Sequence, residues 1–339
     1  MTDPQTPAQR RPPVLGGVEI ERAPELAPIT FVGGTGRSGT HVLAQVLSRN
    51  RRIALIPVEV RFHTDPEGFP GLLSGEVTLE RFVRGMRGFW WRGFQRTRMR
   101  GMYRFIDRDR YRAALDRFQQ SFAGDEEAAC RRLFYDLLWF RTQEREEGEA
   151  IVEQSTDTVA EAETLVRLFP EARFIHVVRD GRDASASRVA QTRGLFRPRT
   201  RAQGIEWWWQ RIDAIERGAD AIPPDRLLTM SLDELLLVQG GRHALRPMFR
   251  FLGGQVTRGA RRYLRNHMSA EHANVHRWRR GLSARRAERI EGLYREALDR
   301  LESSGARSEP LLRRTFERRR EPGADDLEPL VYVYDRGSR

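Results

Sequence analysis

Ile-Thr-Phe-Val-Gly-Gly-Thr-Gly-Arg-Ser-Gly-Thr, residues 29 to 40, is the stretch on which the fold turns. Its apolar start, Ile29 to Val32, reads as a β-strand. A glycine-rich loop follows, then a helical pattern with Val42, Leu43, Val46 and Leu47 on one face. Strand, glycine loop and helix start together make an anion cradle. Glycine lets backbone N–H groups approach closely, and a helix N-terminus carries partial positive charge. The expected ligand is a phosphate-like group; a purely structural glycine turn is the alternative. The loop departs from the triphosphate-binding pattern G-x-x-x-x-G-K-[ST]. Gly34 to Gly39 keeps the glycine spacing, but Thr40 and His41 stand where lysine and serine would, and the basic residue, Arg37, lies inside the loop. This argues against ordinary ATP or GTP chemistry.

The chain of 339 residues contains no lysine, so its 59 basic side chains are all arginine, and its formal net charge is +12. That balance favours anionic partners. The arginines read as scattered and accompanied by carboxylates, and no dedicated motif occurs, so no specific nucleic-acid partner is expected. A single cysteine, Cys130, excludes an internal disulfide and a cysteine zinc site. Beside Ala128, Ala129 and Leu133 it reads as a buried small hydrophobe. No apolar run reaches membrane-spanning length. Arg10-Arg11 is followed by Pro12-Pro13 and the charges Glu19 and Glu21, which interrupt the apolar core of an export signal. A cytoplasmic location is expected.

Residues 1–27, with Pro4, Pro7, Pro12, Pro13 and Pro24, read as a flexible proline-rich tail. The folded unit is expected over 28–302, with a charged C-terminal extension over 303–339 in which Val331 to Tyr334 adds an edge strand. Strands are expected at 29–32, 53–57, 150–153, 172–178 and 226–230. Helices are expected at about 159–169, 179–193, 205–215, 242–252 and 283–301. Residues 71–147 are helical in pattern, with Phe89-Trp90-Trp91 and Leu137-Leu138-Trp139-Phe140 as apolar anchors, and form a helical insertion on the acceptor side of the site. Alternating strands and helices place the chain in the α/β class: a three-layer P-loop-type domain, its central, largely parallel sheet flanked by helices. Ligands of such sheets bind at the carboxyl ends of strands. Two loops there stand out, 33–40 and 179–187.

The second loop follows Phe174-Ile-His-Val-Val178 and reads Arg-Asp-Gly-Arg-Asp-Ala-Ser-Ala-Ser up to Ser187. A helix beginning at Asp180-Gly181 and folding back over the strand end lets Arg179 and Ser187 reach one anion. A guanidinium offers a planar fork, and a hydroxyl adds a neutral donor. The alternative is a turn held by Arg–Asp pairs, with Ser187 an ordinary helix residue.

Together the two loops resemble those of sulfotransferases. Arg37-Ser38-Gly39-Thr40 is similar to their 5′-phosphosulfate loop, and Arg179 with Ser187 to their 3′-phosphate motif, spacing included. The likeness is to the branch containing tyrosylprotein sulfotransferases and many bacterial enzymes. It extends through Glu153-Gln154-Ser155-Thr156, Leu168-Phe169-Pro170, Phe251-Leu252-Gly253 and Arg277-Trp278-Arg279, over about 29–300. It implies 3′-phosphoadenosine 5′-phosphosulfate (PAPS) as donor, the 3′,5′-bisphosphate (PAP) as product, and a hydroxyl acceptor on a small molecule or peptide. Transfer would be in line and without a metal. Arg37 would stabilise charge on the bridging oxygen and sulfuryl group; Gly36, Ser38, Gly39 and Thr40 would cradle the 5′-phosphate. His41 stands where a second threonine is usual, and both phosphate contact and a structural helix-start role are open to it. Arg179 and Ser187 would hold the 3′-phosphate.

Glu59, after the second strand, matches the region of the catalytic glutamate in the tyrosylprotein branch and is the expected general base. Pairing with Arg61 is its alternative, and His63 is the next candidate base. His176, within a buried strand, reads as a satisfied core histidine. Two further positions depart from the family: Gln154 replaces a frequent lysine, and Leu232 replaces a usual tyrosine. Arg277, Trp278 and Arg280 read as a surface helix entry before a contact to the donor. Trp90, Trp91 and Trp207 to Trp209 read as core before acceptor pocket. The competing functions are a nucleotide-dependent kinase on a P-loop fold, disfavoured by the missing lysine and the Arg179/Ser187 pair, and a non-catalytic nucleotide-binding protein.

Overall fold

Residues 28–93, 101–144, 149–191, 197–237, 242–268 and 274–318 are described by a computed structural model, together with the backbone of 14–15, 18–19 and 331–333. The tail expected over 1–27 lies outside the described residues, apart from a short antiparallel pairing of 14–15 with 18–19. The extension beyond Arg318 lies outside them too, apart from 331–333.

The apolar runs become the strands of one sheet. They are β1 (Ile29–Gly34), β2 (Ile53–Leu55), β3 (Ala150–Glu153), β4 (Arg173–Val178), β5 (Leu227–Ser231) and β6 (Val331–Val333). Their spatial order is β2-β3-β1-β4-β5-β6. The first five run parallel, and β6 closes the edge antiparallel to β5. β1 is buried along its whole length, because helices cover both faces of a parallel sheet. The second strand stops two residues short of its expected end. Pro57 brings no N–H to extend the ladder, and the last pairing bond runs from Ile56 N to Val152 O at 2.9 Å.

The helices are α1 (Thr40–Leu47), α2 (Phe69–Leu73), α3 (Leu79–Gly85), α4 (Arg108–Ser121), α5 (Glu126–Leu138), α6 (Phe140–Gln143), α7 (Ala162–Leu168), α8 (Gly181–Val189), α9 (Arg201–Ala219), α10 (Leu232–Leu237), α11 (Arg242–Phe251), α12 (Arg258–His267), α13 (Ala284–Ser303) and α14 (Glu309–Arg318). Between β2 and β3 the described residues hold helices and turns but no strand. One face of the sheet packs α1, α11 and α12 through Leu43, Leu47, Phe249 and Leu264. The other packs the helices between β2 and β3, with Phe31 against Phe134, Phe169 and Phe174. A third cluster joins α8, α9, α13 and α14 around Trp208, Trp278 and Tyr294.

The expected parallel α/β architecture is present, with differences that have physical reasons. α9 begins at Arg201, earlier than its apolar pattern, because Thr200 and Gln203 form a reciprocal capping box. α12 and α14 go unseen in the sequence. α12 buries only Ala260 and Leu264 among its arginines, too sparse a stripe to show a 3.6-residue period. α14 hides Leu311, Leu312 and Phe316 in a charged segment. Cys130 is fully buried as expected, and burial pushes its thiol pKa up. Of the three consecutive tryptophans, Trp208 is buried and Trp207 and Trp209 are half-buried. No helix among the described residues is long and apolar enough to cross a membrane.

Candidate active site

At the carboxyl end of β1 the backbone makes a tight loop over residues that a side chain would displace. A Cβ on Gly34 would come within 2.4 Å of Ser38 Oγ and 2.6 Å of Val177 O. Gly34 N donates to Thr156 O at 2.9 Å, tying the loop to the segment after β3. Gly36, Arg37 and Gly39 all take left-handed conformations, at φ 79°, 63° and 89°. For Arg37 this is strained, worth about 1–3 kcal/mol, and it aims a long cationic side chain out of the loop. Gly39 caps α1, and Leu232 fills the space beside it: a Cβ there would meet Leu232 Cδ2 at 2.8 Å. Leu232 is therefore a buried packing contact under the loop.

Ser38 is fully buried, and its Oγ has no hydrogen-bond partner. A buried hydroxyl inside a glycine loop at a helix start is a donor left for a ligand. Thr40 is buried as the first residue of α1, whereas His41 is exposed on the helix.

The second loop comes to the first. Arg179, leaving β4, is buried and donates from Nη1 to Arg37 O at 2.7 Å. Arg37 donates from Nε to Ser187 Oγ at 2.9 Å. Arg37, Arg179 and Ser187 thus form one connected unit across two loops that are 150 residues apart at the Arg37–Ser187 contact. The sequence reading missed Arg188, whose charge acts on Arg37. It lies over the Trp207 ring at 5.5 Å, donates from Nη1 to Gln191 Oε1 at 2.7 Å, and has a buried Nε without a partner. Desolvation, then the like charges of Arg179 and Arg188, lower the pKa of the Arg37 guanidinium, with Glu59 opposing. Three cations gathered against their own repulsion make a site for a multiply charged anion. Its sequence signal was adjacency: Arg188 follows Ser187 in the same helix.

Asp180 and Arg182 hold this loop in place and face away from it. Asp180 caps α8 and accepts from Arg182 Nε at 3.1 Å and Nη2 at 2.6 Å. The Arg182 guanidinium is buried among the rings of Trp278, Tyr294 and Phe316, each within 5.1 Å of it. Asp183 accepts from the backbone N–H groups of His276 and Trp278 at 2.9 and 3.1 Å, which fixes the late segment beside α8. Trp278 is buried core, while Arg277 and Arg280 are exposed. Arg182→Met should lower stability by about 3–5 kcal/mol, since it leaves the Asp180 charge buried without its cation. Urea unfolding with an unchanged m-value would measure it, and a loss below 1 kcal/mol would refute this role.

Glu59 follows β2, half-buried, and makes no hydrogen bond or ion pair among the described residues. Arg61, its expected alternative partner, instead pairs with Asp65 at 2.9 Å and Asp157 at 3.4 Å. Burial pushes the Glu59 carboxyl pKa up; Arg61 opposes this, Glu153 and Asp65 add to it, and Arg37 opposes it more weakly. A carboxylate that keeps basicity and lacks a partner is equipped to take a proton. His63 is differently placed. It is fully buried, bonded through Nε2 to Glu153 Oε2 at 3.0 Å, and stacked on Phe31. Glu153 also accepts from Ser155 N and Oγ, so its carboxylate is held from three sides. Gln154, between them, is buried with Oε1 unpartnered. His176 is buried as expected but not satisfied: its Nε2 lacks a partner, and burial lowers its pKa, with Glu216 opposing. No group of three or more metal-ligating side chains occurs among the described residues.

The profile of the family described as "Sulfotransferase family" matches residues 28–258, more than half of the chain. Similar solved structures include the sulfotransferase domain from the Synechococcus PCC 7002 olefin synthase, at 17% identity and TM-score 0.46, covering 83% of this chain and 92% of that one. Another is the sulfotransferase STF9 from Mycobacterium avium, at 19% identity and TM-score 0.41, covering 82% and 77%. A sulfotransferase from Alicyclobacillus acidocaldarius matches at 16% identity and TM-score 0.44, covering 81% and 94%. No curated protein matches the chain.

Proposed function

We infer that this chain, which belongs to the sulfotransferase family, moves a sulfuryl group from PAPS to a hydroxyl group of a small-molecule or peptide acceptor. A cytoplasmic location is part of the same reading. The observation that carries it is the connected unit of Arg37, Arg179 and Ser187, together with the buried, unpartnered hydroxyl of Ser38 in the same loop as Arg37. Two anion sites, one in a glycine loop and one at the next strand end, suit a donor bearing two separated charged groups.

The chain's residues fit that donor. Ser38, Thr40 and the N–H groups from Gly36 to Gly39 would hold the 5′-phosphosulfate, and Arg179 and Ser187 the 3′-phosphate. When bound, PAPS supplies an activated sulfuryl group whose bond to the 5′-phosphate breaks as the acceptor oxygen bonds to sulfur. Arg37 offers fixed positive charge where the leaving phosphate oxygen gains negative charge. Glu59 takes the acceptor hydroxyl proton, and its raised pKa strengthens it for that step. Gln154 has an unpaired carbonyl and an amide donor but no charge, so Arg37 and Arg188 carry the cationic part of the task. Leu232 brings no ring to the donor and supports Gly39 by packing.

Binding to the folded state raises its stability by mass action, so thermal shift tests the reading directly. At 100 times its Kd, PAP should add about 2.7 kcal/mol and raise the melting temperature. ATP with magnesium, at equal concentration, should shift it less. A larger shift with ATP and magnesium would overturn the donor assignment in favour of a kinase.

A further inference from the structure

Most arginines of this chain stand beside carboxylates, but one region breaks the rule. From residue 235 to residue 270 there is no Asp or Glu, and seven arginines occur: Arg242, Arg246, Arg250, Arg258, Arg261, Arg262 and Arg265. The turn at the middle of this region folds against two arginines from elsewhere. Thr257 Oγ1 donates to Arg49 O at 3.1 Å, and the Arg49 guanidinium lies 4.4 Å over the Tyr263 ring. Arg173, the exposed first residue of β4, lies 5.9 Å from the Phe251 ring, with Nη1 3.8 Å from the Cβ position of Gly253.

Arg49, Arg173, Arg250, Arg258, Arg261, Arg262 and Arg265 are all exposed, and none forms an ion pair among the described residues. On α12 the last four follow the i, i+3, i+4, i+7 stripe opposite the buried Ala260 and Leu264. This surface is remote from the anion loops. Thr40 starts α1 and Arg49 follows its last turn, while Arg173 starts β4 and Arg179 follows its end, a separation of about 20 Å along a six-residue strand. The patch therefore gathers at the amino ends of the strands, facing away from the catalytic loops.

We propose that this face docks the protein on an anionic phospholipid bilayer, leaving the active site turned to the solvent. Arginine matches phosphate headgroups in charge and geometry. The exposed part of the patch carries no large apolar side chain, since the exposed ones are Phe89 and Tyr103, so the contact is electrostatic and reversible. A single-stranded nucleic acid would need open rings for base stacking. Tyr263, the ring at hand, is covered by Arg49 and by His267, whose centroid is 4.4 Å away. The start of α12, a further phosphate site, is already capped by Thr257 through Ala260 N at 3.1 Å. This inference does not depend on the donor or on Glu59.

Vesicle sedimentation at low and high salt tests it. The full chain should bind mixed phosphatidylglycerol and phosphatidylcholine vesicles, should not bind pure phosphatidylcholine vesicles, and should dissociate at high salt. The triple variant Arg258→Gln, Arg261→Gln, Arg262→Gln should reduce partitioning on the order of a hundredfold, at roughly fivefold per arginine. The charge-matched variant Arg285→Gln, Arg286→Gln, Arg289→Gln on α13 should retain most of it. The pair Arg173→Gln, Arg250→Gln, on different elements, repeats the test independently of α12 folding. Equal losses in the patch and α13 variants would overturn the proposal, because net charge alone would then explain binding. So would equal binding to neutral vesicles, or tight binding of a short DNA duplex without vesicle binding.

Discussion

Glu59→Gln should lower turnover on the order of 10²–10⁴-fold while leaving PAP affinity nearly unchanged, the usual scale for loss of a general base. The substitution keeps shape and hydrogen-bonding capacity and removes basicity. Turnover requires an acceptor found by screening phenols, sugars and peptides with labelled donor; PAP affinity is read by calorimetry. The carboxyl pKa is raised by burial, so wild-type activity should fall on acidification at a pH above the ordinary glutamate value. That acidic limb should vanish in Glu59→Gln. Stability gives a second, activity-independent signature. A carboxyl whose folded pKa exceeds its unfolded pKa contributes stability below the unfolded value, and this is lost as pH rises through the folded value. Glu59→Gln should therefore melt higher than wild type at pH 7, with the advantage gone at pH 4. Near-normal turnover together with an unchanged melting temperature at both pH values would remove Glu59 from the mechanism. His63, sealed in the core against Glu153, would need the structure to open before it could replace it.

Arg179→Ala should weaken PAP binding by about 2–4 kcal/mol, roughly 30- to 1,000-fold, the scale for a charge-assisted contact in a partly buried site. It removes both the expected 3′-phosphate cation and the bond from Nη1 to Arg37 O. Arg37→Ala should lower PAP affinity and also cut turnover by about 10²–10³-fold, because its charge is needed most where the leaving oxygen becomes negative. Ser187→Ala should cost less affinity than Arg179→Ala. It also frees Arg37 Nε from its acceptor, so a drop in turnover exceeding the drop in affinity is expected. Arg179→Ala with wild-type PAP affinity by calorimetry would disprove the assigned 3′-phosphate site.

Much of the fold was legible because its signals are local. Ile29 to Val32 and Phe174 to Val178 are apolar runs long enough for buried strands, and glycines after β1 mark a loop only glycine can make. Where local signals were weak, the reading stopped short. α12 shows two buried residues in ten, and α14 sits in a segment that looks solvated. The catalytic candidates were legible as types at positions, but not as neighbours. Arg188 has no motif of its own, and the exclusion of His63 from the site rests on Phe31, Phe62 and Phe134, each from a different part of the chain.

By itself, then, the sequence determined the parallel α/β class, the two loops at strand ends and the residue types able to hold anions, since strand periodicity, glycine spacing and charge are properties of short segments. Tertiary structure alone decided which of these meet. It put Arg37 against Ser187 and Arg179, turned Arg61 to Asp65 and Asp157 while Glu59 makes no ion pair among the described residues, and packed Leu232 on Gly39. Such contacts join residues far apart in the chain. Their energies come from burial and charge at distances that exist only once the sheet has brought β1, β3, β4 and β5 side by side.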